Sequence, residues 1–223
     1  MRSLQMFPYR KEILYMLTPK VELLSITPNA EKLIEAAGRT SYMSFDKQGE
    51  DSEKRFIRMV VKSGHHSVLE HAYATFRISG ASRSFSHQLV RHRLCSIIQQ
   101  SQRYVDESNF NYIEPDSIKN KPEAHSVFID SMSKAKEAYL KLNGLKIKKE
   151  DARYVLPNAV ESEIVVSANF REWRHVIDLR GKAQSQWEIR RVAIEILKIL
   201  KKHAPNVFGD FEIDEEKEIV KEV

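Results

Sequence analysis

The chain has 223 residues, 42% hydrophobic and 30% charged. This ordinary globular composition excludes a disordered chain, a collagen-like repeat and a disulfide scaffold. The formal net charge of +5 is too small to name a partner, and the single cysteine, Cys95, excludes an internal disulfide or a zinc cluster built on thiolates.

The length suits one domain spanning 1–223. Pro8, Arg10, Lys11 and Glu12 interrupt the N-terminal segment before an apolar region develops, which argues against a secretory signal. No run approaches the ~20 apolar residues of a membrane span. The expectation is a cytoplasmic protein. In chain order, weak alternation predicts a strand over 21–26, and Thr27-Pro28 opens a helix running to about Gly38. A turn at 49–51 precedes a second helix, capped by Asp51 or Ser52 and closed by Gly64. Residues 65–71 read as a connection or single turn, and 72–79 alternate as a strand. A helix is predicted from Ser82 to about Arg93, with Phe85, Leu89, Val90 and Leu94 on its apolar side. The stretch 115–122 reads as a loop, 123–142 as a long amphipathic helix and 149–156 as a shorter one stopped by Pro157. A β-branched strand at 163–168 leads to helices at 171–179 and 184–203 around Gly181. The charge-dense tail, 210–223, reads as loosely attached. The fold class is α+β, helix-rich, with a central mixed or antiparallel sheet flanked by helices.

Charge distribution says more than the total. From His71 to Val105 there is no acid and no lysine, but Arg77, Arg83, Arg91, Arg93 and Arg103 are present. A planar guanidinium holds phosphate or carboxylate at two points, so this window suits an anion. A nucleic-acid surface using the arginines of 77–103 is the rival explanation. Five of the eight histidines lie between residues 65 and 92: His65, His66, His71, His87 and His92. Their spacing matches no helical zinc pair, so no metal site is expected; they either hydrogen-bond in loops or meet a ligand's ring edge.

Arg91-His92-Arg93 is the sharpest local feature. On a continuous helix Arg93 would turn toward the apolar side. Either the helix loosens there, or Arg93 is buried and needs an anionic partner. The amide-rich run from Gln99 to Arg103 follows, and amides offer donor and acceptor together to a base or flavin edge.

Arg91-His92-Arg93, seven residues and then Ser101-Gln102-Arg103-Tyr104 resembles the signature of the flavin-dependent thymidylate synthases. Gly64-His65 through Glu70-His71, Arg153 to Pro157, Asn169-Phe170-Arg171, Leu179-Arg180, Ala183-Gln184 and Gln186-Trp187-Glu188 extend the likeness over 41–203. The resemblance implies synthesis of thymidylate from dUMP, with FAD as cofactor and NADPH and methylenetetrahydrofolate as co-substrates. It further implies a homotetramer whose active sites form where subunits meet, with no nucleic-acid or membrane partner. By position it assigns Ser41, Ser67, Arg91, His92, Arg93, Gln99, Asn169, Arg171 and His175 to the flavin. It assigns Gln88, Arg91, Gln99, Gln100, Ser101, Gln102, Arg103, Arg153 and Arg180 to deoxyuridylate, with Arg103 and Arg153 suited to the phosphate. Arg180, His65 and Ser101 fall at the reacting centre, Ser101 as a ligand contact rather than a nucleophile. Ile98 replaces a usually polar residue, and His175 stands where some members have Asn. Cys95 lacks the Pro-Cys-His context of the cysteine-dependent synthases and reads as a small buried hydrophobe. No Gly-x-Gly-x-x-Gly motif marks a nicotinamide site.

Overall fold

The computed structural model describes residues 19–222. The N-terminal segment read as lacking a targeting signal lies outside them. No helix among the described residues is long and apolar enough to cross a membrane.

The elements in order are β1 (Lys20–Ile26), α1 (Ala30–Thr40), α2 (Ser52–Lys62), β2 (Tyr73–Ser82), α3 (Arg83–Leu89), β3 (Ser96–Gln99), α4 (Asp116–Lys119), α5 (Pro122–Gly144), α6 (Lys149–Ala152), β4 (Glu161–Asn169), α7 (Phe170–Arg180), α8 (Trp187–His203), α9 (Pro205–Phe208), β5 (Phe211–Asp214) and β6 (Ile219–Glu222). Four strands form one antiparallel sheet in the order β1-β2-β4-β3, and β5 pairs with β6 in a separate hairpin. The class is α+β, as expected, and the central sheet is wholly antiparallel.

The sheet obeys a two-residue period. Ala74, Phe76 and Ile78 of β2 face the same side as Ile164, Val166 and Ala168 of β4, their register partners, and all six are buried. Trp173 of α7 closes this layer. Its ring meets Phe76 edge to face at 5.1 Å, and its indole N–H donates to the Ala74 carbonyl at 3.0 Å. The Ile189, Val192 and Ile196 stripe of α8 is also core. The alternate side is polar: Thr75 meets Ser167 at 2.8 Å, and Arg77 lies between Glu22 and Glu163. Under α1, Glu35 and Arg39 form a buried ion pair at 2.6 Å, and Arg39 also donates to the Ser44 carbonyl. This anchors the loop beginning at Ser41.

Besides the stretch 115–122, read as a loop but carrying the short helix α4, three expectations need correction. The helix after Ser82 ends at Leu89, not near Arg93. Its N-cap is held from afar: the buried Glu188 carboxylate accepts from both the N–H and the hydroxyl of Ser82 at 2.6 Å. Beyond Leu89 the backbone tightens into three-residue turns, Arg91 N to Gln88 O and His92 N to Leu89 O, so that the chain can enter β3. Val90 and Leu94, assigned to an apolar face, are exposed. The second correction is β3 itself, where no strand was expected; its Ile97 pairs with Val166. The third is the tail, which is docked rather than loose. Phe211 and Val220 join the core cluster. Arg174 of α7 is buried and pairs with Asp210 at 2.6 Å and Glu222 at 2.8 Å, with its guanidinium over the Phe211 ring. Gly181 makes the approach possible: a Cβ there would lie 2.6 Å from that of Val220.

Removing Arg174 strands two partly exposed carboxylates and uncovers Phe211. Arg174→Ala is expected to cost about 2 kcal/mol, below the range for a fully buried pair because solvent reaches the acids. Urea unfolding should show the loss, and amide exchange should quicken first in β5 and β6.

Candidate active site

A cleft of about 1390 Å³ opens along α7 and is lined by the turn after α3, the end of β4 and the hairpin. Arg91, His92, Arg93, Asn169, Arg171, His175 and Arg180 all line it. Seven of the residues singled out in the sequence therefore meet in one place.

The strand-to-helix junction at Asn169 sets the geometry of α7. Its side-chain oxygen accepts from the Glu172 N–H at 2.8 Å and starts the helix. Arg171 points outward to Glu70 at 2.6 Å. Glu172 turns inward and is buried. At the far end of α7, Arg180 donates from Nε to His92 Nε2 at 2.9 Å and from Nη2 to the Gln88 carbonyl at 3.2 Å. His92 is 5% exposed and its Nδ1 lies 3.5 Å from Glu172 Oε1. The His175 ring packs edge-on against it at 5.6 Å.

Arg93 is exposed, so the loosened-helix alternative is the one realised. Among the described residues neither Arg91 nor Arg93 has an acidic partner or a hydrogen-bond acceptor. In contrast, the remaining arginines of the acid-free window are dispersed. Arg77 pairs on the outer sheet face, Arg83 donates to the Gln100 carbonyl beside Glu107, and Arg103 pairs with Glu150 at 3.1 Å. The window is acid-free along the chain but not in space, and only two of its arginines reach the cleft.

The amide-rich strip lies elsewhere. None of Gln99, Gln100, Ser101, Gln102, Arg103 and Arg153 lines the cleft. Gln99 is tied to the hydroxyls of Ser86 and Ser162, Gln100 to Glu107, and Arg153 to the Glu150 carbonyl. Ser101 Oγ accepts from the Arg103 N–H, and the Gln102 side chain is buried with no partner for its amide nitrogen. Gln88 reaches Gln186, at the start of α8. Ser41, His65 and Ser67 occupy exposed turns flanking α1 and α2 and do not line the cleft; His66 and Glu70 do. Glu172, Arg174, Phe211 and Glu222 also line it and escaped the sequence reading. The Asn169-to-Glu172 spacing marks a helix start, a signal available for Glu172; nothing local marks Arg174.

Among the described residues His92, Glu172 and His175 are the three whose ligand atoms gather within 4.8 Å. Arg180 already fills one ring nitrogen of His92, and Arg91 adds a second positive charge nearby, so the local field favours an anion over a cation. Unpaired guanidiniums beside an asparagine and a buried imidazole fit the phosphates and polar ring edge of a dinucleotide such as FAD.

A family model described as thymidylate synthase complementing protein matches residues 22–206. The chain is 42% identical over 211 residues to the flavin-dependent thymidylate synthase of Corynebacterium glutamicum, covering 87% of this chain and 84% of that one. It is 39% identical over 211 residues to that of Clostridium tetani, covering 85% of each, and 41% identical over 199 residues to that of Geobacter sulfurreducens, covering 86% of each. The chain belongs to the flavin-dependent thymidylate synthase family. The family match closes before β5, so the hairpin that walls the cleft of this thymidylate synthase relative lies beyond it.

Burial first, then the charge of Arg180 and His175, lowers His92 to about 4. The unfolded chain therefore takes up a proton between about pH 6.5 and 4 that the folded one refuses, and stability falls as pH drops through that window. Glu172, raised by burial, acts in the opposite sense. The comparison is therefore made against His92→Gln: its urea midpoint should fall less than that of the natural protein between pH 7 and pH 4.5.

Proposed function

We propose that this chain is a flavin-dependent thymidylate synthase that methylates deoxyuridylate to thymidylate. It uses FAD, takes its carbon from methylenetetrahydrofolate and its reducing equivalents from NADPH, and works in the cytoplasm as one domain. The observation that carries this reading is the fold of the Arg91-His92-Arg93 signature: a buried imidazole flanked by two guanidiniums without protein partners, facing a cleft.

When bound, the flavin supplies the hydride chemistry that activates and reduces the pyrimidine without a protein thiol. The chain's own residues bind, orient and polarise. Arg91 and Arg93 hold cofactor phosphate, assisted by Arg171 once Glu70 gives way. Asn169, His175, His92, Ser41, Ser67 and Gln99 would complete the flavin contacts, and His65 would serve where flavin and folate or nicotinamide come together. Arg180 would meet the uracil carbonyl and stabilise negative charge that builds on the ring. Gln88, Gln100, Ser101, Gln102, Arg103 and Arg153 grip the rest of the nucleotide, the two arginines at its phosphate. That Gln100, Ser101, Gln102, Arg103 and Arg153 do not line the cleft of their own chain supports a shared site in a homotetramer, with this strip of one copy meeting the cleft of another. The exposed Leu94, Ile98, Tyr104 and Tyr154 around the strip support such a contact.

Cys95 fits a reaction with no cysteine nucleophile. Burial, reinforced by Glu172, pushes its thiol up to about 12, so it stays protonated. Tritium release from C5-labelled deoxyuridylate should require FAD, NADPH and methylenetetrahydrofolate together. Arg180→Ala should lower that rate by about 10²–10³, the usual loss for one charge-stabilising donor. Cys95→Ala should stay within about threefold of the natural protein, since thiol deletion here removes only packing and one weak contact with Glu172. No release from folded, flavin-binding protein would overturn the reading.

A further inference from the structure

Glu172 has no part in the chemistry above, yet the residue is only 5% exposed and lines the cleft. Burying a carboxylate without a role for its charge is costly. Its surroundings define one. Arg180 Nε lies 2.9 Å from His92 Nε2. A guanidinium can only donate, so Nε2 must be the accepting nitrogen. A neutral His92 therefore carries its proton on Nδ1, the nitrogen facing Glu172 Oε1 at 3.5 Å. The same oxygen takes the weak Sγ–H donor of Cys95 at 4.0 Å. Glu172 is itself fixed, because the first turn of α7 is tied to Asn169.

The chain of contacts ends at a well-defined group. With Nε on His92 and Nη2 on the Gln88 carbonyl, the Arg180 guanidinium is clamped along one edge. Among the described residues Nη1 meets no protein acceptor. Rotating the His92 ring, or moving its proton to Nε2, would set two donors against each other and release that edge.

We propose that Glu172 is a positioning residue: its carboxylate holds His92 in the Nδ1–H tautomer, and His92 in turn aims the Arg180 guanidinium at the nucleotide's uracil ring. The last step rests on the thymidylate synthase reading; the tautomer does not. This is the arrangement in which an outer carboxylate orients an imidazole through its second nitrogen, here serving an arginine rather than a metal.

The test uses full-length protein, as purified, labelled with ¹⁵N-histidine. Two-bond ¹H–¹⁵N spectra report the tautomer of each ring, and the His92 signals are those lost in His92→Gln. The expected result is Nδ1–H for His92 at neutral pH. Glu172→Gln retains an acceptor of the same shape and should keep that tautomer, with kcat within about tenfold. Glu172→Leu should show a mixed or Nε2–H tautomer. Its kcat should fall about 10- to 100-fold, with flavin retained, which is the usual loss when an outer partner is removed. A natural protein whose His92 is Nε2–H or doubly protonated overturns the proposal, even if Glu172→Leu fails to fold. So does a folded Glu172→Leu with the natural tautomer and kcat. Absence of tritium release from natural protein showing the Nδ1–H form would count against the thymidylate reading alone and leave the Glu172–His92 hold standing.

Discussion

The antiparallel pairing of β2 with β4 is the constraint on which the rest hangs. It aligns Tyr73 with Asn169 at one end and Ser82 with Glu161 at the other. Because the strands run in opposite directions, the helix leaving each starts at opposite ends of the sheet. α3 departs after Ser82 and α7 after Asn169. The two segments then converge, and residues 88 apart in sequence meet as the His92–Arg180 hydrogen bond. A slip of one residue in this ladder would turn Phe76 and Val166 out of the core and, with them, the anchor for Trp173.

Charge in this molecule is sorted by whether it is answered. Arg174 has two carboxylates, Arg39 has Glu35, and Arg77 and Arg103 have acids brought from distant segments. Arg91 and Arg93 have none among the described residues. Two unanswered guanidiniums beside a third repel one another, and that repulsion is relieved by an anionic ligand. The cleft is thus preorganised in the sense that matters for binding: both guanidiniums line it, and no ion pair at Arg91 or Arg93 among the described residues has to break first.

Most elements were legible because their signals are local. Caps, glycines and periodicity mark α1, α2, α5, α7 and α8 to within three residues at either end, and alternation marks β2 and β4. What escaped depends on partners far away in sequence. β3 has two apolar residues, one of them turned outward, and becomes a strand only because β4 offers an edge. No breaker residue marks the end of α3; the chain turns there to enter β3, and His92 is buried between Glu172 and Arg180. The tail looked unattached because its charges dominate the composition, yet its apolar residues alternate and its acids are answered by Arg174. At the site, the Arg-His-Arg motif and the resemblance singled out Arg91, His92, Asn169, His175 and Arg180, which the structure brings to one cleft. The burial of Glu172, and the ring nitrogen that serves each neighbour, exist only in three dimensions.

The docked hairpin has a practical side. β6 ends at Glu222, which both pairs with Arg174 and lines the cleft. One carboxylate thus serves both the docking of the hairpin and the wall of the cleft, so a substitution chosen to loosen the hairpin would also redraw the cleft's charge.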